Sequence, residues 1–140
     1  MLVKEIMSPS VSCVKPETSL TQIAKQMKQE NIGAIPVCTD SGRVLGIVTD
    51  RDIVIRSVAS DSKDLKAEDI MSQNVRFATP NMNTHDAALL LANNQVRRLP
   101  VVSNDRLVGI ISLADIARKT LYIDEAGDAL SAISKPNGLI

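Results

Sequence analysis

Leu20, Ile23, Ala24 and Met27 fall at i, i+3, i+4 and i+7, with polar residues between them. That spacing is the apolar stripe of an amphipathic helix. Ser19-Leu20-Thr21-Gln22 opens it with a capping-box pattern, in which the hydroxyl and the Gln side chain satisfy free backbone amides. Ala87, Ala88 and Leu91 form a second stripe behind Asn83 as cap. Ala34–Cys38, Val44–Thr49, Arg98–Ser103 and Leu107–Ser112 read as strands. Asp40-Ser41-Gly42 and Asn104-Asp105 separate them with turn chemistry, so two hairpins are predicted. Val11-Ser12-Cys13-Val14 and Val75-Arg76-Phe77-Ala78 favour β structure and run into Pro16 and Pro80, as strand ends do. Asp50–Ser57 and Leu113–Leu121 read as helices. The element order is β-α-β-β-α, and it occurs twice.

The duplication is written in the residues themselves. At an offset of 64, Ile6-Met7-Ser8 returns as Ile70-Met71-Ser72, Val11 as Val75, Pro16 as Pro80, Ala24 as Ala88 and Pro36-Val37 as Pro100-Val101. One residue is dropped near Ser41, and the offset becomes 63. Arg43 then meets Arg106, Gly46-Ile47 meets Gly109-Ile110, and Asp52-Ile53 meets Asp115-Ile116. We assign residues 1–60 to the first copy, 61–66 to a linker at the end of the polar stretch Ser57–Lys66, and 67–122 to the second copy. The tail, 123–140, is expected to carry a short helix with Ala129, Leu130 and Ile133 on one face, stopped by Pro136-Asn137-Gly138. One copy of about 55 residues buries little surface and would be marginal alone, whereas two can cover each other's sheet faces and share one core.

Composition narrows the function. Lys+Arg and Asp+Glu both number 16, so the basic excess that phosphate-backbone binding needs is missing and nucleic acid is an unexpected partner. Aromatics make up 1% of the chain, too few to stack single-stranded bases. The longest apolar runs are too short to span a bilayer, no charged-then-apolar leader opens the chain, and a cytoplasmic location is expected. Cys13 and Cys38 have neither metal-ligand spacing nor the pattern of a disulfide framework, and are expected as small core-facing strand residues. The one histidine, His85, is expected at the surface at a helix start, so Thr49 and Ser112 have no partnered base. No metal site is expected, and nothing supports an enzyme.

Gly46-Ile47-Val48-Thr49-Asp50-Arg51-Asp52-Ile53 and Gly109-Ile110-Ile111-Ser112-Leu113-Ala114-Asp115-Ile116 share one pattern: Gly, two apolar residues, Thr or Ser, two free positions, Asp. With the Ile-Met-Ser openings and the Ile-Pro-Val and Leu-Pro-Val strands, each copy resembles the CBS domain, and the pair resembles a Bateman module of the small stand-alone bacterial kind. The resemblance implies an α/β (α+β) fold, with two tandem β-α-β-β-α repeats packed sheet to sheet about a pseudo-twofold axis. It also implies a regulatory module, not an enzyme, that senses an adenine nucleotide (AMP, ADP, ATP or S-adenosylmethionine) in clefts between the repeats and signals to a downstream protein. A homodimer through helical faces is implied too, with Ala87–Ala92 and the tail as candidate surfaces. The competing reading is a ligand-independent dimerisation or docking module.

Carried over residue by residue, the family pattern implies two unequal sites. In one, Asp115 binds the ribose hydroxyls, Ser112 hydrogen-bonds nearby and Ile110 meets the base, facing Ser12 and Ile32-Gly33-Ala34. In the other, Asp52, Thr49 and Ile47 face Val96, Arg97 and Arg98, with Arg51 as a further phosphate contact. The chemistry is sound on its own terms. A ribose diol offers two donors that one carboxylate can accept. The start of a helix supplies amides that attract an anion. Gly46 and Gly109 leave room for a ligand or a neighbouring strand to come close. Gly33-Ala34 stands where the second copy has Arg97-Arg98, so basic groups gather on one side.

Overall fold

The computed structural model describes residues 1–9, 11–118 and 123–136. The chain divides into two compact units: an inner unit, Ser12–Val75, and an outer unit made of Met1–Val11 together with Arg76–Ile140. Their boundaries cut across the sequence repeat, because each unit contains the body of one copy and the opening segment of the other.

In the inner unit, helix α2 (Leu20–Glu30) leads to the antiparallel hairpin β1 (Ala34–Cys38) and β2 (Val44–Thr49). Helix α3 (Asp50–Ile53) follows and continues as a π-helical turn over Val54–Val58. Ser19 Oγ caps α2 by accepting from Gln22 N at 3.2 Å, and Asn31 ends it in the left-handed conformation. Ile23, Met27, Ile35, Val37, Val48 and Ile70 form the core. Ile70 belongs to α4 (Ala67–Ile70), the opening of the second copy. Next to α4, Ser72 and Ile47 exchange two backbone hydrogen bonds, 2.9 and 3.2 Å, so the opening segment lies along β2. The stretch read as a linker is tied down where it nears α4: Leu65 O accepts from Leu20 N at 2.9 Å.

The outer unit repeats this plan with α5 (Thr84–Asn94), the hairpin β3 (Arg98–Ser103) and β4 (Arg106–Ser112), and α6 (Leu113–Ala117). Here the opening segment is α1 (Val3–Ile6), and Ser8 and Ile110 exchange hydrogen bonds of 2.8 and 3.0 Å. Asn104 and Asp105 both have positive φ, 52° and 59°, as a two-residue hairpin turn of the primed type requires. Val3, Leu91, Leu99, Val101, Ile111 and Ile116 fill the core. The part of the predicted helix beyond Arg118 lies outside the described residues, as do Asn137 and Gly138.

Three expectations are corrected. The segments at Val11–Val14 and Val75–Ala78 are not strands of a sheet: one residue of each, Val14 and Ala78, forms a parallel bridge, to Val37 and Val101. Pro16 and Pro80 have no N–H, so pairing cannot extend that way. The tail does form a helix, α7 (Ile123–Ile133), but its buried face is Ala126, Ala129 and Ile133, with Leu130 exposed. Ala126 and Ile133 join the core that α5 and α6 line. Cys13 is exposed, while Cys38 is buried. Among the described residues no helix is long and apolar enough to cross a membrane.

Glycine explains why the openings recur. A Cβ on Gly46 would sit 2.7 Å from Ser72 O and 2.8 Å from Met71 Sδ. On Gly109 it would sit 2.8 Å from Ser8 O and 2.7 Å from Met7 Sδ. The Gly of one copy and the Met-Ser of the other are therefore a packing pair, and the close approach at each glycine is made by chain. Gly46→Ala is expected to lower stability by about 1–3 kcal/mol, the usual cost of overpacking. Gly127→Ala, in α7 with nothing within 4 Å, is expected to raise it by about 0.5–1 kcal/mol. Urea unfolding of the two variants beside the parent checks both signs.

Candidate functional site

The candidate residues fall into two sets, one in each unit. Ser12, Ile32, Gly33, Ala34, Ile47, Thr49, Arg51 and Asp52 lie in the inner unit, and Val96, Arg97, Arg98, Ile110, Ser112 and Asp115 in the outer. Within each unit the same local construction appears.

In the inner unit β2 ends at Thr49 and α3 starts at the next residue. Thr49 Oγ1 accepts from Asp52 N at 3.1 Å, and Asp52 Oδ2 accepts from Thr49 N at 2.9 Å. Ser112 and Asp115 do the same in the outer unit, at 3.0 and 2.8 Å. This is a reciprocal capping box, with Asp at its third helical position. The Thr/Ser-x-x-Asp spacing thus has a structural job in both copies: it satisfies two backbone amides at the start of the helix. Asp52 and Asp115 are buried, at 8% and 7% exposure, so each carboxylate is held in one orientation.

Only one oxygen of each carboxylate is used by the cap. Asp52 Oδ1 lies 3.8 Å from Arg56 Nε, beyond hydrogen-bond length. Arg56 itself donates to the carbonyls of Ile70 and Met71, at 3.0 and 3.3 Å, and so is anchored to the opening segment. Asp115 Oδ1 accepts from Arg118, whose side chain is 75% exposed. Asp52 Oδ1 is thus left with acceptor capacity to spare, whereas Asp115 Oδ1 is shared with an exposed guanidinium. Neither arginine was singled out from sequence. The signal was available: Arg56 stands at i+4 from Asp52 and Arg118 at i+3 from Asp115, where helix geometry brings side chains together.

The residues beside the caps differ in charge. Gly33 O accepts from Asp50 N at 2.9 Å, and Arg97 O accepts from Leu113 N at 2.8 Å. Gly33 and Arg97 therefore occupy equivalent places, as do Asp50 and Leu113. The Asp50 carboxylate fills the space over Gly33, where an added Cβ would come within 2.9 Å of Oδ2. The inner unit carries an acid at this junction and the outer unit a base. Arg97 is exposed, Arg98 on β3 is half-buried opposite Ser112, and Arg51 is exposed at the first turn of α3.

Other candidates are engaged in ways that limit their roles. The backbone groups of Ile47 and Ile110 pair with Ser72 and Ser8; Ile47 is buried and Ile110 half-buried. Ser12 Oγ donates to the Glu30 carboxylate. Ile32 is exposed, Val96 half-buried and Ala34 buried opposite Thr49. His85 is exposed at the start of α5, 3.7 Å from Glu125 of α7.

The CBS domain model matches residues 3–58 and again 67–122. The chain is 40% identical over 136 residues to the CBS domain-containing protein YhcV of Bacillus subtilis, covering 96% of each. Among solved structures it is similar to the CBS domain pair of protein MJ0100 in complex with 5′-methylthioadenosine and S-adenosyl-L-methionine. That match has 30% identity and a TM-score of 0.77, and covers 84% of this chain and 98% of the other. It is likewise similar to CBSX2 in complex with AMP, at 26% identity and a TM-score of 0.77, covering 87% of this chain and 97% of the other. The chain belongs to the CBS domain family and carries two copies of the domain.

Because the caps are structural, substitutions there must be chosen with care. Ser112→Ala removes the acceptor for Asp115 N and is expected to cost about 1 kcal/mol. Asp115→Asn keeps an oxygen for Ser112 N and should cost less. Denaturant midpoints at equal m-value give the comparison, and a larger loss for the Asn variant would contradict the capping account.

Proposed function

We propose that this chain is a regulatory ligand-binding module, not an enzyme, that takes an adenine nucleotide or a relative such as S-adenosylmethionine. The observation that carries the reading is the pair of buried capping carboxylates, Asp52 and Asp115, each spending one oxygen on the cap, while the other stands open at Asp52 and is shared with Arg118 at Asp115. A fixed carboxylate oxygen suits a ribose diol, whose two hydroxyls are both donors. The AMP, 5′-methylthioadenosine and S-adenosylmethionine held by the similar solved structures support this ligand class.

Two sites are proposed. Asp52, Thr49, Ile47 and Arg51 of the inner unit form one. Asp115, Ser112 and Ile110 of the outer unit form the other. The exchange of Asp50/Gly33 for Leu113/Arg97 makes them unequal toward phosphate, because a carboxylate repels what a guanidinium binds. Binding shifts the module toward the arrangement that holds the ligand better, and a downstream protein reads the shift. A homodimer is proposed as the working form, and the exposed Val54, Ile55 and Val58 beyond α3 supply apolar surface for it.

The test is thermal unfolding with AMP, ADP, ATP, S-adenosylmethionine, NAD and GTP, on protein first unfolded and refolded to strip carried ligand. A ligand at 100 times its Kd stabilises the fold by about 2.7 kcal/mol, which moves the midpoint by several degrees. An adenine ligand is expected to give this shift, and either Asp52→Asn or Asp115→Asn is expected to reduce it by at least half. Absence of any shift across the panel overturns the sensor reading and favours the ligand-independent interaction module.

A further inference from the structure

Arg56 stands between the cap at Asp52 and the opening segment of the second copy. Its Nη1 donates to Ile70 O at 3.0 Å and to Met71 O at 3.3 Å, while Nε lies 3.8 Å from Asp52 Oδ1. Nη1 and Nε belong to one rigid plane, so the guanidinium cannot shift at the carboxylate without shifting at the carbonyls. Ile70 closes α4 and Met71 follows in extended conformation, so neither carbonyl has a helical partner. The same segment is tied to β2 by the Ser72–Ile47 hydrogen bonds and by Met71 Sδ, which lies over Gly46. Three residues further on, between Val75 and Arg76, the chain leaves the inner unit.

Arg56 sits in the π-helical turn Val54–Val58, where Ala59 N donates to Val54 O, five residues back, at 2.8 Å. Such turns are rare and gather at functional positions. The outer unit joins the same parts differently. Leu113–Ala117 is α-helical, and Arg118 just beyond it bonds Asp115 directly. One guanidinium therefore ends on the carboxylate, and the other ends on the opening segment.

We infer that Arg56 is a positioning residue that couples the Asp52 carboxylate to the opening segment at Ile70–Ser72. The buried carboxylate draws the guanidinium to the helix start, and the guanidinium holds the two carbonyls. Removing the charge of Asp52 weakens the first attraction, so the carbonyls lose part of their anchor. A ligand hydroxyl bonded to Asp52 Oδ1 takes up the oxygen that Arg56 faces and acts on the same link. The coupling is reciprocal: whatever fixes the opening segment also favours one state of Asp52. The ligand step rests on the nucleotide reading above, whereas the link between Asp52 and the opening segment stands without it. Half of the Arg56 side chain is exposed, so the coupling is expected to be modest, about twofold to fivefold in an equilibrium constant.

The experiment is a double-substitution cycle on the full chain, read by residue-resolved amide exchange without ligand. Ser72 N, bonded to Ile47 O, reports the opening segment, and Ser8 N, bonded to Ile110 O, is the matching control in the outer unit. Asp52→Asn keeps an oxygen for the cap and removes the charge. It is expected to speed exchange at Ser72 by about twofold to fivefold and to leave Ser8 unchanged. Arg56→Ala is expected to speed Ser72 by about tenfold, for the charged hydrogen bonds it loses, and adding Asp52→Asn is expected to change nothing more. Arg56→Gln keeps a neutral donor for the carbonyls. Ser72 is expected to stay nearer the parent there, with Asp52→Asn again without effect. Additive effects of the two substitutions overturn the proposal, as does an equal rise at Ser8 and Ser72, which marks general loosening. Saturating AMP is then added to the parent and to Arg56→Gln, and a change at Ser72 is expected in the parent alone. Bound AMP with the same Ser72 change in both overturns the coupling. AMP that does not bind counts against the nucleotide reading, and the cycle alone then decides the coupling.

Discussion

Each folding unit is completed by a segment from the other copy. Val3 and Ser8 of the first opening belong to the outer unit, Ile70 and Ser72 of the second opening to the inner one. The contact is too close for any side chain on Gly46 or Gly109, so the Ile-Met-Ser openings and the glycines form one constraint written at two distant places. It has an energetic consequence: a single copy cut out at the repeat boundaries would lose the opening that its sheet needs and keep one that it cannot use. The duplication is thus a requirement for stability, which a domain of about 55 residues could hardly meet by itself.

The same hairpins that receive the openings deliver the candidate site. β2 and β4 end at Thr49 and Ser112, and the reciprocal caps start α3 and α6 at once. The cap orients a buried carboxylate without using all of it, so a structural device leaves chemistry behind. A carboxylate held in this way loses little rotamer freedom when a ligand arrives, which is the advantage of preorganisation. The two copies then diverge around a common frame. Asp50 covers Gly33 in one, Leu113 adjoins Arg97 in the other, and Arg56 and Arg118 guard the carboxylates differently. The backbone is retained while the charge around each cap diverges.

Much of this was legible in the sequence, and the rest was hidden for definite reasons. The Ser19 cap, the hairpin turns and the Thr/Ser-x-x-Asp spacing are local signals, set by residues within a few positions of one another. The exchange of openings was not legible, because a repeat unit in sequence carries no information about which copy its ends pack against. The β-favouring Val11–Val14 and Val75–Ala78 pair at one residue each, since a nearby proline and a departing chain override propensity. Leu130 was assigned to the buried face of α7 on apolarity alone, whereas Ala126, one turn earlier and smaller, is the residue that packs. Cys13 was expected inside because a strand was expected there, and it surfaced when the strand reduced to a bridge. Arg56 and Arg118 needed only the helix period to be found.

The central claim is that the caps at Thr49–Asp52 and Ser112–Asp115 are also the places where ligand is read. Amide hydrogen exchange of the full chain, followed residue by residue with and without saturating AMP, tests it most directly. The account predicts added protection at the amides from Thr49 to Asp52, from Ser112 to Asp115, or both, with little change at the hairpin turns. Binding of AMP with unchanged exchange at both caps, and protection concentrated elsewhere, would contradict it.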